Sequence, residues 1–518
     1  MSAIGFGPAT RTRPALVLLA VCIAGGLLPA SLTGASVALP DIGANLHAGI
    51  VPVQWVVNAY NLTFASFMLV AGALADLVGR RRMFAAGAAL FAVCAAGSAV
   101  AGDILLLDLA RGLAGVGAAM ILTGGSAMLP TVFSGAKLAK AFGLLGSSFG
   151  AGLALGPSTS GFLVGAFGWR AVFFAHLAVC LLVLCLVPLL PESRDPDAKH
   201  VDLAGTVTFT GALALLTVAM VQGPQWGWGS MATLGLLVGF AVLIAAFIVA
   251  EKTQQRPMFD LALFRQPQFV AVCLIPFALA LGFVSLLVFL PSYFIGVLGY
   301  STQRSGLVML LLTAPVLCLP LLSGAASKRI PARYLLGVSL LLVGAGAGWL
   351  TVLSPGTSVT VLIGPLVTIG IGVGISFGLL DAAAIGSVPP ARAGMAAGMF
   401  NTARLASEAI VIAGVGSILV TLTQQRLANG LSHGASGLSS SQLADKAVQG
   451  QSVRTLAGQS DSLVRLLGNS YTGALHTVLL VLAAVCIAGA PAIVALLKER
   501  TPASASPASE QPTMADAG

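Results

Sequence analysis

Charge is what this sequence has least of. Only 8% of its 518 residues are Asp, Glu, Lys or Arg, where a soluble domain carries about a quarter. A water-facing fold of this length would need several charged exteriors, so that class is excluded. Metal and redox signatures are missing as well. Cys22, Cys94, Cys180, Cys185, Cys273, Cys318 and Cys486 all fall in apolar runs with no C-x-x-C among them, which makes them small core residues. His47, His176, His200, His433 and His476 show no ligand spacing. No G-x-x-x-x-G-K-[ST] occurs, so ATP is not the energy source within the chain and no cofactor is expected. The net charge of +9 is scattered over loops rather than gathered on one patch, so nucleic acid is not an expected partner.

Long apolar runs fill the space that charge leaves. A helix must place about 20 apolar residues across roughly 30 Å of hydrocarbon. Such runs occur at 14–40, 51–73, 83–102, 104–129, 139–165, 168–190, 203–222, 230–250, 268–291, 304–325, 333–353, 358–386, 393–421 and 473–497. The fold class is therefore all-α and polytopic, with fourteen spans. Arg11 and Arg13 before the first run resemble a signal peptide, but the run exceeds a typical h-region, and it reads as a retained span. With the N-terminus inside, even-numbered loops and both ends hold 18 of the 26 Lys and Arg residues, so both termini are expected to be cytoplasmic. Trp226 and Trp228 then mark the outer interface. The outer side also holds one long loop at 422–472, and an Ala-, Ser- and Pro-rich tail at 501–518 is expected to be disordered.

Two stretches carry mechanical chemistry. After the second run comes Gly72-Ala-Leu-Ala-Asp76-Leu-Val-Gly79-Arg80-Arg81-Arg82. Its glycines permit a tight turn, Asp76 can cap or pair, and the arginines can lock helix ends or lipid phosphate. In isolation a basic turn is only a topology anchor. The fifth run spaces Gly143, Gly152, Gly156, Pro157, Ser160 and Gly161 as G-x8-G-x3-G-P-x-x-S-G. Small residues at these intervals admit a close helix crossing, and the proline removes a backbone bond.

Both stretches resemble signature motifs of the major facilitator superfamily, the first departing at Leu77 and the second by one Ser. Trp55-Val-Val-Asn-Ala-Tyr60, Gly168-Trp169-Arg170, Gly223-Pro-Gln-Trp226-Gly-Trp228, Gly299-Tyr300-Ser301 and Gly394 to Arg404 are similar to its fourteen-span drug:proton antiporters, over roughly residues 27–410. The resemblance implies a six-helix bundle at 1–195, two inserted helices at 196–265, and a second bundle at 266–500 enclosing a midplane cavity with the first. It also implies export of amphipathic drugs, dyes or natural products against inward proton flow. Protons, a small-molecule substrate and lipid are the expected partners. The chain is expected to be a monomer in the plasma membrane, with outer-membrane efflux components as further candidates. Export of one endogenous metabolite or antibiotic, or sensing without transport, are the alternatives.

The departures bear on coupling. Where the family usually has an acid, Thr and Asn before Ala-Leu-Pro, this chain has Ser31, Thr33 and Ser36 before Ala38-Leu39-Pro40. Arg111 is present, but Ala114 stands where Gln is usual. Ionisable groups inside hydrocarbon are functional suspects, and those remaining are Arg111, Asp381, Arg404 and Glu408, with Asp41 and Asp108 near outer helix ends. Arg404 and Glu408 lie one turn apart, and Asp381 should fall at similar depth, so a buried triad with Glu408 or Asp381 as proton acceptor is expected. Arg111 is expected opposite Asp108 or Asp41. Ser31, Thr33, Ser36, Trp55, Tyr60 and His176 are candidate cavity residues.

Overall fold

The computed structural model describes residues 14–194, 203–254, 261–327, 329–377, 379–380, 383–384, 393–430, 440–457 and 461–497. A chain with apolar surroundings must satisfy its backbone groups internally, and helices do so. The long helices are α1 (Pro14–Asn45), α2 (Ile50–Val78), α3 (Arg80–Val100), α4 (Ile104–Val132), α5 (Gly135–Phe167) and α6 (Arg170–Leu186). They continue as α7 (Leu203–Trp226), α8 (Met231–Thr253) and α9 (Pro267–Gly296), whose middle is a π-helical turn at Ala280–Val284. Then follow α10 (Thr302–Ala326), α11 (Ala332–Trp349), α12 (Val359–Phe377) and α13 (Ala393–Gly430). Two short helices, α14 (Ser440–Val448) and α15 (Val453–Ala457), precede α16 (Asp461–Leu496).

Among the described residues twelve of these helices are long and apolar enough to cross a membrane, and a thirteenth is α2, bent by 53° near residue 69. Helix α5 is 33 residues long but is diluted by glycine and serine, the same composition that gives it close crossings. The tail at 501–518 lies outside the described residues.

Packing divides along the chain. Helices α1 to α6 pack on one another through the α2–α4, α1–α5, α3–α4 and α3–α6 pairs. The later helices repeat the pattern through α10–α12, α11–α12, α11–α16 and α9–α13. The two sets meet where α5 lies on α10 and α13 lies on α2, pairs that exchange under a pseudo-twofold. Helix α8 packs mainly on α7, through Phe209 and Phe247 with ring centroids 5.4 Å apart, and α7 in turn lies on α2 and α13.

One end of the molecule carries the Gly79–Arg82 turn and is called the basic end here; the other is the far end. Residues 31–40 of α1 and 282–294 of α9, both in far halves, are buried on every side. Nearer the basic end Leu19, Leu274 and Phe277 are exposed. Four side-chain hydrogen bonds joining the two sets lie in the far half. Ser36 Oγ donates to Leu287 O (3.1 Å), Thr302 Oγ1 to Asp41 Oδ2 (3.1 Å), Ser158 Oγ to Gly306 O (3.0 Å), and Gln449 Nε2 to Ala48 O (3.4 Å).

The segment expected as a long loop at 422–472 is largely helical. Helix α13 runs on to Gly430 and α16 begins at Asp461, with α14 and α15 between them. Leu427, Leu443, Ala444, Ala447, Val453, Leu463 and Leu467 form a small separate core. The Leu443, Ala444, Ala447 and Val448 spacing supplies its apolar face. Gly450, at φ +91°, brings the backbone against Pro40 and Ser292, where an added Cβ would sit 3.0 Å from each. This cap therefore rests on the far ends of α1 and α9.

Candidate functional site

At the basic end the turn after α2 is built by Gly79, whose φ of +116° suits glycine alone. Arg80 Nη2 pairs with Asp76 Oδ1 at 3.0 Å, one turn back. Glu192, beyond α6, takes the rest: Arg81 Nε at 3.7 Å, Arg82 Nε at 3.6 Å, and the Arg81 backbone N–H at 3.2 Å. Arg80 N–H also donates to Ser193 O at 2.8 Å. Glu192 is invisible to local sequence patterns, because its partners are more than a hundred residues away. A Cβ added at Gly72 would meet only Thr123, at an ordinary 4.0 Å, so Gly72 marks no close crossing.

The glycines of α5 divide by partner. Added Cβ atoms at Gly152 and Gly156 would strike Gly26 and Thr33 of α1, within one helix set. One at Gly161 would lie 2.9 Å from Thr302 O and 3.0 Å from Gly306 Cα of α10, in the other set. Pro157 belongs to that crossing through its carbonyl, which a Cβ at Gly306 would approach at 2.9 Å. Gly143 faces open space and marks no crossing.

The far half of the first set holds Arg111, buried at 1% exposure. Its Nε donates to Val56 O (2.9 Å), Nη1 to Ser31 Oγ (2.8 Å) and Nη2 to Ser31 O (3.3 Å), while Cζ stands 4.3 Å over the Tyr60 ring. Tyr60 is fixed by donating to Leu28 O at 2.9 Å. The expected pairing of Arg111 with Asp108 or Asp41 does not occur. Asp108 Oδ1 has no partner, and Asp41 accepts from Thr302. The guanidinium is satisfied by helix carbonyls, a hydroxyl and a ring face instead of by a carboxylate.

The cavity candidates fare unevenly. Ser31, Thr33 and Ser36 are fully buried. Ser31 holds Arg111, Thr33 bonds back to Pro29 O, and Ser36 ties α1 to α9, so none lines open space here. Trp55 is half-buried and one position off the stripe that Val56, Tyr60 and Thr63 share. His176 packs edge-on against Phe173, 6.2 Å between centroids, and its Nδ1 lacks a partner.

The middle of α5 and the first third of α13 bring together Phe149 and Arg404. Arg404 Cζ lies 4.5 Å over the Phe149 ring and 5.9 Å from Phe400, and its Nε has no hydrogen-bond partner. Glu408, 4% exposed and one turn further along, makes no hydrogen bond and no ion pair among the described residues. The expected Arg404–Glu408 pair is thus not formed. Asp381, the third expected member, lies outside the described residues. Glu408 stays within electrostatic reach of Arg404 without touching it, and also of Tyr60 across the contact of α13 with α2. Aromatic Phe149 escaped sequence reasoning because one phenylalanine in an apolar helix carries no signal.

Two pseudo-symmetric sets of membrane-length helices, packed on each other, have the architecture of a multi-pass membrane transporter. The chain belongs to the Major Facilitator Superfamily, whose model matches residues 21–412. It is 34% identical over 390 residues to the multidrug resistance protein Stp of Mycobacterium tuberculosis, covering 74% of this chain and 72% of that one. It is 30% identical over 425 residues to the tetracenomycin C resistance and export protein of Streptomyces glaucescens, covering 81% and 79%. With the multidrug efflux pump LfrA of Mycolicibacterium smegmatis it shares 30% over 415 residues, covering 79% and 81%. Among solved structures, a bacterial homolog of the human lysosomal transporter Spinster matches with TM-score 0.62 at 15% identity, covering 94% and 98%, and supports the fold.

Proposed function

We propose that this protein exports small amphipathic drugs, dyes or natural products by proton antiport, through alternating access of a cavity between two helix bundles. The bundles are residues 1–195 and 266–500, with 196–265 inserted and the cap at 422–472 on the outer face. Both termini are cytoplasmic in this reading, as the basic end is where Lys and Arg concentrate. The tight far half and the exposed residues nearer the basic end suit a state closed outward. The relatives named for multidrug resistance and efflux support the substrate class. The chain works as a monomer in the plasma membrane, with outer-membrane components as optional partners.

The single observation that carries coupling is Glu408. A carboxylate enclosed at the bundle contact, with no ion pair or hydrogen bond among the described residues, is costly to keep charged. It is therefore the group that takes and gives the proton, doing the work the family usually assigns to the first-span acid replaced here by Ser31. The test is uptake of a fluorescent cationic dye into inverted vesicles under a pH gradient. Glu408→Gln is expected to abolish gradient-driven uptake and to make the residual dye binding independent of pH; full uptake by Glu408→Gln refutes the assignment. A dedicated single-product exporter is the second reading, favoured by the tetracenomycin relative and by the missing first-span carboxylate. One transported compound in a panel of cationic, neutral and anionic dyes would select it.

A further inference from the structure

Arg404 occupies an unusual position for a buried cation. Its own helix offers a carboxylate one turn away in Glu408, yet the guanidinium lies across the bundle contact on Phe149 of α5, with Phe400 beside it. Among the described residues Nε is left without a hydrogen-bond partner, and Glu408, though within electrostatic reach of Arg404, forms no close ion pair. Phe149 is 3% exposed, so the contact is desolvated, the condition under which a ring face attracts a cation most. An aromatic face, a nearby unpaired acid and a position between the two bundles are together the recognition elements for a lipophilic cation.

We propose that the Phe149 ring, flanked by Phe400, is the subsite for the positively charged group of a lipophilic substrate, and that Arg404 is its resident occupant when no substrate is bound. An arriving cation takes the ring face, and Arg404 swings along its own helix toward Glu408. The side chain is long enough, since residues four apart on a helix are neighbours. Departure of the cation returns Arg404 to the ring. Arg404 thereby sets cation affinity by competition, and Phe149 discriminates charge, not size. This subsite rests on the export reading given above.

The test is equilibrium binding of radiolabelled tetraphenylphosphonium to purified protein in lipid nanodiscs, with neutral triphenylphosphine oxide as the control probe. Arg404→Met removes the competitor and is expected to tighten tetraphenylphosphonium binding on the order of tenfold. Arg404→Lys keeps a tethered cation and should give no such gain. Phe149→Leu should weaken cation binding on the order of tenfold and change the neutral probe less than twofold. Should Arg404→Met fail to fold, Arg404→Gln carries the same expectation, and Phe149→Tyr, which retains the ring face, must bind the cation as wild type does.

Unchanged or weaker cation binding in Arg404→Met, or equal losses of both probes in Phe149→Leu, overturns the subsite. Gradient-driven dye uptake by the wild type separates the two readings. Uptake together with unchanged binding in Arg404→Met sinks only the subsite. Absence of uptake together with the expected binding pattern sinks export and leaves the subsite standing.

Discussion

Gly161 and Gly306 let α5 and α10 cross almost backbone to backbone toward the far end, the closest backbone approach on their shared face. In Gly161→Ala the new Cβ would lie 2.9 Å from Thr302 O and 3.0 Å from Gly306 Cα. Ordinary contact begins near 3.4 Å, so the helices must part by about half an ångström there. Parting stretches the Ser158 Oγ to Gly306 O bond from 3.0 Å beyond useful length. Overpacking costs about 1–3 kcal/mol and the lost bond about 1 kcal/mol, so roughly 2–4 kcal/mol falls on the closed state. That shifts the balance toward the far-open state by roughly 30- to 900-fold. Spin labels on Ala44 and Leu307, both exposed, report the far-end separation by pulsed electron resonance. Gly161→Ala should move the distance distribution outward, while Gly152→Ala, which strikes α1 inside the same bundle, should lower yield without moving it. An unchanged distribution in Gly161→Ala, or an equal shift from Gly152→Ala, refutes the reasoning.

Three further expectations follow from the same geometry. Gly79→Ala must hold a Cβ at φ +116° and 2.6 Å from Glu192 Oε1, and should cost about 1–3 kcal/mol in thermal stability; Glu192→Gln, which loses only partly exposed pairs, should cost under about 1 kcal/mol. Arg111→Lys keeps the charge but cannot serve Val56 O and Ser31 together, so melting of the detergent-solubilised protein should show a loss of about 2–3 kcal/mol; a wild-type melting temperature would contradict the assigned bonds. In the cap, burial pushes the Asp445 carboxyl up to about 6, against the opposing Gln225 hydrogen bond at 3.4 Å. Its folded value is above the unfolded one, so its support for the docked cap is complete below about pH 4 and fades as pH rises through about 6. Alkylation of a cysteine at buried Val448 should accelerate over that window, and Asp445→Asn should flatten the profile.

What the sequence could reveal depended on the range of each interaction. Apolar runs are local, so the long helices were legible to within a few residues at most ends. The errors came where helices leave the hydrocarbon: α13 and α16 continue past the apolar run because Leu427, Leu463 and Leu467 find partners in α14. That segment was readable in principle, since Leu443, Ala444, Ala447 and Val448 repeat at helical spacing. Asp76 with Arg80 is an i, i+4 pair and was accessible; Glu192 as their neighbour was not. The α5 glycines announced a close crossing without saying that Gly152 and Gly156 serve α1 while Gly161 serves α10. The charges were found, but their partners were mistaken for one another. A sequence shows which ions are present, whereas helix carbonyls and ring faces are available everywhere and leave no mark.

This last point bears on how a transporter lacking the usual first-span acid remains workable. Had Arg111 and Arg404 each been locked to a carboxylate, both would be static struts, because breaking a buried ion pair costs about 3–5 kcal/mol. Arg111 is instead held by three donations to α1 and α2 and by Tyr60, all within one bundle, so it travels as a rigid part of that bundle. Arg404 is held by a ring face across the bundle contact, worth about 2 kcal/mol when desolvated, which is weak enough to exchange. Glu408, with no hydrogen bond or close ion pair among the described residues, lies one turn from the exchangeable cation and within electrostatic reach of Tyr60, the ring that Arg111 covers. A proton answers the Glu408 charge directly, and a cationic substrate on the Phe149 ring does so by releasing Arg404 toward it. Neither step breaks a buried ion pair, so the coupling group can be emptied and refilled once in every cycle.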